Sequence, residues 1–205
     1  MEYFYYHWGP FLLKMDLYEQ DFYHLKYLIQ QVEPKKVKLD HGLYFLENEW
    51  MFEDQEKIEL QIMIEKYTRF YLETYDNRWC KDILQIADKP PRVDIQGAWV
   101  NRIKANEFRP PHTHSGDLSF VIYMDIPKLI DDEPYNDKAK SNKPGSVVFN
   151  YAHSSLKSKI PSLDEVTLFP KEGTMLMFPS NLMHFTVPHK TDVERVSISG
   201  NLILS

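Results

Sequence analysis

Three histidines in this sequence could form a metal site. His112 and His114 flank one residue in a segment that follows two prolines and precedes a turn. Side chains two positions apart on extended backbone point to the same side, so both imidazoles could bind one cation. Asp117, just beyond the turn, could bring a carboxylate to them, and His184, at the start of a late strand candidate, could bring a third imidazole. Imidazole and carboxylate are common ligands of transition metals.

His184 has a simpler interpretation, as a hydrogen-bonded histidine of the core. The sequence after it favours the metal site, because a strand candidate with two chemically different faces follows. The polar row comprises Arg195, Ser197, Ser199 and Asn201, and the apolar row comprises Val196, Ile198 and Leu202.

The polar row could simply be the wet side of an antiparallel sheet. If it faces the interior instead, the buried guanidinium of Arg195 needs an anionic partner, because an unpaired buried charge is too costly. A dicarboxylic co-substrate would meet this need. One carboxylate would pair with Arg195 and Ser197, while a 2-oxo acid end would chelate the metal. The spacing from His184 to Arg195 makes us prefer the interior placement.

The elements that position these residues are mostly strands. After residue 90 the chain shows short β-branched and aromatic runs, most of them separated by Pro, Gly, Asp or Asn. The expected strands are Ala98–Ile103, Leu118–Ile126, Ser146–Tyr151, Thr174–Phe178 and Val193–Leu204. This rhythm is typical of a β-sandwich or barrel and not of alternating βα units.

The first 90 residues have helical patterns. Apolar positions at steps of three and four predict helices over Phe22–Val32 and Asp54–Tyr75, with a short strand candidate at Leu43–Leu46 between them. We expect the helices to buttress one face of the β domain, and the aromatic residues at positions 3–11 to build core or an interface. Asp131–Pro144 is expected to be a long exposed loop, either a lid or a mobile segment.

Length and composition favour one soluble domain. The 205 residues suit a single all-β domain with a few helices: residues 1–90 form a helical support region and 91–205 most of the β core. A net charge of -6 without a basic run speaks against nucleic acid as a partner. No apolar stretch is long enough to cross a bilayer. A single cysteine, Cys80, is typical of a reducing cytoplasm, where we expect the protein to stay.

An ordered set of motifs resembles the 2-oxoglutarate/iron(II) oxygenases of the prolyl hydroxylase-like superfamily, in particular a bacterial and phage family. The motifs are Trp99-Val100-Asn101, His112-Thr113-His114, Ser119-Phe120-Val121-Ile122-Tyr123, Phe178-Pro179-Ser180 with His184, and Arg195-Val196-Ser197 with Asn201. They cover about half of the chain, from Trp99 onward. The resemblance implies a mainly β, cupin-like double-stranded β-helix (jelly-roll) with N-terminal buttressing helices.

The resemblance also implies iron(II), 2-oxoglutarate as co-substrate, and O2. The superfamily motif is H-x-D...H, and here His114 stands where the carboxylate usually falls. Two ligand sets stay open. One is His112, His114 and His184; in the other, His112 or His114 joins His184 and Asp117.

The remaining roles also follow from the resemblance. Arg195 and Ser197 would anchor the 5-carboxylate of 2-oxoglutarate, and Tyr123 and Asn101 could add hydrogen bonds. No catalytic residue is expected beyond the metal centre. The reaction implied is oxidative decarboxylation of 2-oxoglutarate coupled to hydroxylation of an unidentified substrate, a peptide or a small molecule.

Two other functions remain open from the sequence. A cupin-type metalloprotein could use three histidines without 2-oxoglutarate, and it would not need Arg195. A non-catalytic jelly-roll binding protein would respond to neither iron nor 2-oxoglutarate. The sequence does not indicate the substrate or the oligomeric state.

Overall fold

The structure, a computed structural model, describes residues 9–32, 48–79, 91–134, 143–151 and 165–205. Within these residues the chain forms nine strands and three helices. The strands are β1 (Leu13–Asp16), β2 (Asn48–Met51), β3 (Val93–Ile103), β4 (Leu118–Asp125), β5 (Val147–Asn150), β6 (Glu165–Leu168), β7 (Thr174–Pro179), β8 (Met183–Thr186) and β9 (Arg195–Leu204). The helices are α1 (Glu19–Gln31), α2 (Asp54–Trp79) and α3 (Lys128–Asp131).

The strands form two antiparallel sheets. The larger has six strands in the order β1-β7-β4-β9-β3-β2, and the smaller has three in the order β6-β5-β8. Both edges of the larger sheet, β1 and β2, come from the first 90 residues. The N-terminal region therefore supplies two strands to the β domain, in addition to the helical support predicted from the sequence.

Two apolar clusters lie on opposite faces of the larger sheet. One joins the sheet to α1 and α2 and includes Leu25 and Leu60, both fully buried. The other fills the space between the sheets, where Phe149 of the smaller sheet meets Phe178 of the larger one at 4.9 Å between ring centroids. This arrangement is the predicted jelly-roll with helices buttressing one face.

Strand β9 separates its two rows of side chains as predicted. Val196, Ile198 and Leu202 belong to the cluster beneath the helices. Arg195 and Ser197 face the other way and are 2% and 4% exposed. The polar row therefore faces the interior of the β domain, and the solvent-facing interpretation is wrong.

The elements predicted within the described residues are present, with shifted ends. Helix α1 begins before Phe22, α2 continues past Tyr75, and β3 begins five residues before Ala98. Strands β1, β2 and β6 were not predicted. The strand candidate Leu43–Leu46, the aromatic residues at 3–8, Cys80 and most of the 131–144 loop lie outside the described residues.

Strand β3 begins earlier than predicted. A β-bulge interrupts the alternation of its side chains, so its first residues did not fit the pattern that predicted the strand. The register against β9 shifts between Ile95 and Gly97. An extra residue reverses the side-chain phase, so Val93 and Ile95 before the bulge and Ala98 after it all reach the cluster beneath the helices.

Among the described helices, none combines the length and the apolar character that a membrane span requires.

Candidate metal and co-substrate site

His112 and His184 are brought together by their own backbones. The His112 N–H donates to the His184 carbonyl at 3.0 Å, and the His184 N–H donates to the His112 carbonyl at 3.1 Å. Two residues that exchange both bonds are directly opposite in an antiparallel pair, so their side chains share a face. The ring centroids lie 4.4 Å apart. Histidines far apart in sequence thus become adjacent, because His112 pairs with His184 of β8 in a single β-bridge.

His114 completes the group. Its backbone N–H donates to the Ser180 carbonyl at 2.8 Å, and its Nε2 lies 3.3 Å from Nε2 of His184. One ligand atom from each of the three histidines lies within 4.8 Å of the others. Metal–nitrogen bonds of about 2.0–2.1 Å at right angles separate two nitrogens by roughly 3 Å, so the spacing of the His114 and His184 nitrogens fits a shared ion.

Two of the imidazoles have a fixed tautomer. His112 Nδ1 lies 2.6 Å from the Pro110 carbonyl, and His184 Nδ1 lies 2.9 Å from the Leu182 carbonyl. A carbonyl oxygen only accepts hydrogen bonds, so each Nδ1 carries the proton and donates it. The Nε2 lone pair is left for a metal. Histidines that bind metals usually donate their other ring N–H to a protein oxygen in this way.

Burial keeps all three imidazoles neutral. Desolvation, reinforced by the other two histidines and Arg109, lowers the pKa of His114 to about 3. Desolvation, and to a smaller extent the nearby His112, lowers the pKa of His184 to about 4. Desolvation also lowers the pKa of His112, although its bond to Pro110 opposes the shift. Neutral imidazoles have the free lone pair that a metal needs.

Asp117, the alternative ligand, is placed elsewhere. Its side chain is exposed, and its Oδ2 accepts a hydrogen bond from the Leu204 backbone N–H at 2.7 Å. It does not belong to the group of converging ligand atoms found among the described residues. The geometry therefore favours the set of three histidines, and the carboxylate of Asp117 serves to tie the loop after His114 to the end of β9.

Arg195 is a buried cation with incomplete partners. Its Nη1 donates to the Gly145 carbonyl at 2.6 Å, whereas Nε has no hydrogen-bond partner. Its guanidinium carbon lies 5.9 Å from the centroid of the Tyr123 ring, and no carboxylate of the described residues forms an ion pair with it. Burial lowers the Arg195 pKa, but arginine still keeps its charge at neutral pH. The guanidinium therefore lacks a compensating anion within the described part of the protein.

The polar side chains beside Arg195 form one row across the sheet. Ser197 lies opposite Asn101 of β3 and opposite Tyr123 of β4. Directly opposed residues point to the same face, so all three face the interior with Arg195. Burial raises the pKa of Tyr123 to about 12, although Arg195 opposes the shift, so the phenol stays protonated. The row therefore offers amide and hydroxyl donors next to a cation.

One cavity of about 520 Å³ connects the histidines to Arg195. Of the eight residues singled out as ligands or co-substrate contacts, all except Asp117 line it: Asn101, His112, His114, Tyr123, His184, Arg195 and Ser197. Trp99 also lines it and lies beside His114, with 5.9 Å between the ring centroids. A ligand that spans from the imidazoles to the guanidinium would lie inside the β domain.

Two polar networks around the cavity were missed from the sequence. Arg109 forms an ion pair with Glu49 and donates to the side-chain oxygen of Asn101 at 3.1 Å. Ser119 Oγ lies 2.9 Å from Ser180 Oγ and 2.9 Å from the Asn201 side-chain oxygen. Arg109 could have been found, because a charged residue three positions before His112 is a signal for a role at the site. No signal identified Glu49, because its strand was not predicted.

Comparison with known proteins gives a match in sequence and matches in structure. The family described as "Putative 2OG-Fe(II) oxygenase" matches residues 97–201, half of the 205-residue chain. The matched segment includes all the predicted site residues. No curated protein matches the sequence.

Solved structures of low sequence identity share the fold. The 2-oxoglutarate complex of a viral collagen prolyl hydroxylase from Paramecium Bursaria Chlorella virus-1 has a TM-score of 0.54 at 16% identity, over 93% of this chain and 94% of that one. A Pseudomonas putida prolyl-4-hydroxylase has a TM-score of 0.54 at 12% identity, over 92% and 90%. HygX from Streptomyces hygroscopicus, with nickel, 2-oxoglutarate and hygromycin B bound, has a TM-score of 0.51 at 12% identity, over 95% and 83%. These likenesses confirm the predicted jelly-roll.

Proposed function

Since the chain belongs to the 2-oxoglutarate/iron(II) oxygenase family, we propose that it hydroxylates an unidentified substrate with His112, His114 and His184 as the iron ligands. The observation that carries the proposal is the shared cavity, in which three converging neutral imidazoles lie near a buried guanidinium that has no carboxylate partner among the described residues. A cupin-type metalloprotein that does not bind a carboxylate would have no use for this cation.

The histidines would hold the metal on one side and leave the other side open to ligands. His112 and His184 are fixed by their backbone pair and by the bonds that their Nδ1 atoms donate. His114 is held through its bond to the Ser180 carbonyl. Such support of ligating side chains typically contributes 10–100-fold to metal affinity. Three nitrogens without a carboxylate would leave the site with the full charge of the divalent ion.

Arg195 and Ser197 would bind the 5-carboxylate of 2-oxoglutarate. The Nε–H of Arg195 has no acceptor, and Nη1 is already committed to Gly145. A carboxylate in front of Nε would satisfy this donor and compensate the buried charge. Asn101 and Tyr123, in the same row, would donate further hydrogen bonds to the co-substrate.

Iron(II), when bound with 2-oxoglutarate and O2, would supply the oxidation. 2-Oxoglutarate would lose CO2 and gain one oxygen atom of O2 to become succinate, and the other oxygen atom would convert a C–H bond of the substrate to C–OH. The protein's own residues orient the co-substrate and exclude water. Apolar groups along the cavity, such as Phe149 and Phe178, serve this exclusion.

The substrate is proposed to be a peptide or a small molecule. The viral and Pseudomonas neighbours are prolyl hydroxylases, and HygX has been captured with hygromycin B. Both substrate sizes are therefore compatible with the shared fold. With two arginines and no acidic or lysine side chain among the described residues that line the cavity, its walls offer mainly apolar contacts and hydrogen bonds to a substrate.

Anaerobic thermal unfolding tests the proposal. The wild-type protein should be stabilised by iron(II), and more by iron(II) with 2-oxoglutarate, since a ligand of the native state raises Tm. Arg195→Ala should keep the response to iron(II) and lose most of the response to 2-oxoglutarate. A hydrogen bond to a charged group accounts for a factor of about 10–100 in affinity.

Arg102→Ala is the matched control. Arg102 lies on the neighbouring strand, is paired with Glu194, and does not line the cavity. It should respond to both ligands as the wild type does. An equal response of Arg195→Ala and wild type to 2-oxoglutarate would exclude the proposed anchor.

A further inference from the structure

A second, partly buried guanidinium, that of Arg109, lines the same cavity and forms an ion pair within the protein. The Arg109 side chain is 14% exposed and forms an ion pair with Glu49, whose side chain is 7% exposed. Glu49 lies on β2 directly opposite Asn101. The row across the sheet therefore runs through four strands, Glu49–Asn101–Ser197–Tyr123, and begins with a carboxylate at its outer end.

The position of Arg109 determines which way the Asn101 amide faces. An Arg109 Nη2 donates to Asn101 Oδ1 at 3.1 Å. A guanidinium has donors only, so the amide must turn its oxygen toward Arg109 and its NH2 away from it. That NH2 donates one hydrogen to Ser199 Oγ at 3.0 Å. Asn101 and Ser199 both line the cavity, and the amide has a second hydrogen to donate.

We propose that Glu49 and Arg109 are positioning residues for 2-oxoglutarate, an inference that rests on the proposed function. Glu49 holds Arg109, and Arg109 holds Asn101 with its N–H donors turned toward the co-substrate. The two carboxylates and the 2-oxo group of 2-oxoglutarate are acceptors only. The reversed amide would present its oxygen to them and weaken binding. Neither Glu49 nor Arg109 needs to touch 2-oxoglutarate for this effect.

The same pair also distinguishes the two arginines that line the cavity. Glu49 compensates Arg109, whereas Arg195 has no carboxylate partner in the described part of the chain. A carboxylate that enters the cavity therefore meets an uncompensated charge at Arg195 and a compensated one at Arg109.

Direct titration of 2-oxoglutarate into the anaerobic iron(II) protein, by calorimetry, tests the inference. Glu49→Gln and Arg109→Met should raise the Kd for 2-oxoglutarate about tenfold or more, as loss of one bond to a charged acceptor does. The Kd for iron(II), measured without 2-oxoglutarate, should change by much less. A merely structural defect would weaken both.

Asn101 itself gives a spectroscopic readout. In the 15N-labelled protein with Zn(II) in place of iron, 2-oxoglutarate should shift the side-chain NH2 signals of Asn101 in the wild type. In Glu49→Gln the shift should shrink at equal occupancy. Asn101→Asp, which has the same shape but a negative charge and no N–H, should bind 2-oxoglutarate at least as weakly as Arg109→Met does.

Two further variants keep the outcome interpretable. Glu194→Gln breaks a comparable ion pair, with Arg102, and should leave the Kd for 2-oxoglutarate unchanged. The double variant Glu49→Gln/Arg109→Gln removes both charges of this ion pair together, so it should fold even if the single variants do not. It should still bind 2-oxoglutarate weakly, because a glutamine does not dictate the orientation of Asn101.

The outcomes separate the inference from the proposed function. If wild type binds 2-oxoglutarate and Arg195→Ala does not, but Glu49→Gln and the double variant bind as wild type does, the positioning role is wrong and the proposed function stands. If the wild-type protein shows no iron-dependent binding of 2-oxoglutarate, the proposed function fails and the positioning role fails with it.

Discussion

At the residue scale, Arg109 and Arg195 differ in whether a carboxylate of the described residues compensates their charge. This difference indicates a positioning role for Arg109 and a co-substrate-binding role for Arg195. Both guanidiniums line one cavity, but Arg109 is paired with Glu49 and Arg195 keeps an Nε–H without an acceptor. Buried charges in folded proteins are normally compensated. A cation that has no carboxylate partner among the described residues and lies next to three neutral imidazoles therefore indicates an external anion that also reaches the metal.

The choice between His114 and Asp117 as third ligand is also a residue-scale question. Loss of a group that only hydrogen-bonds to a metal ligand typically weakens metal binding by roughly 10–100-fold. His114→Ala should weaken iron(II) binding by more than this, because it removes a ligand atom. Asp117→Asn should leave iron affinity nearly unchanged. Anaerobic titration with iron(II) and a competing chelator measures both. Loss of iron binding in Asp117→Asn, with retention in His114→Ala, would reverse the assignment.

At the element scale, the helices stabilise the sheet that presents the site. Leu60 of α2 is fully buried against the sheet, whereas Ile62 on the same helix is 69% exposed. Leu60→Ala should lower the free energy of unfolding by about 2–5 kcal/mol, through lost burial and a cavity. Ile62→Ala should change it by less than about 0.5 kcal/mol. Urea denaturation compares the two, and equal midpoints would contradict this packing.

Strand β9 and the histidines show how much of the site was predictable from sequence. The two rows of β9 follow directly from a period of two, and they place Arg195 and Ser197 on one face whatever the fold. His112 and His114 follow from the same rule. His184 was identified by its spacing from Arg195 and by its place in an ordered set of motifs, because no local pattern shows its pairing with His112, which joins segments far apart in sequence.

The missed strands have physical reasons. Strands β1, β2 and β6 have four residues each, too few for an alternation to stand out. In β3, the bulge between Ile95 and Gly97 breaks the alternation that would have extended the predicted strand. Glu49 and its role beside Asn101 were hidden with β2, because a carboxylate on an unpredicted strand has no face to which it could be assigned.

At the scale of the whole molecule, residues 1–90 complete the β domain. They supply α1 and α2, which cover one face of the larger sheet, and both of its edge strands. We therefore predict that residues 91–205 alone do not fold. Near-ultraviolet circular dichroism and dispersion of amide NMR signals should show no fixed tertiary structure in that fragment. Thermal unfolding of the whole chain, followed by circular dichroism, should show a single cooperative transition. A folded fragment would mean two separable domains.

The position of the metal and of 2-oxoglutarate relative to Arg195 tests the central claim most directly. Crystals grown anaerobically with iron(II) and 2-oxoglutarate, measured at the iron absorption edge, should give one strong anomalous peak among the Nε2 atoms of His112, His114 and His184. A carboxylate of 2-oxoglutarate should lie within hydrogen-bond distance of Arg195 Nε. An iron peak at another site, or 2-oxoglutarate bound away from Arg195, would contradict the claim.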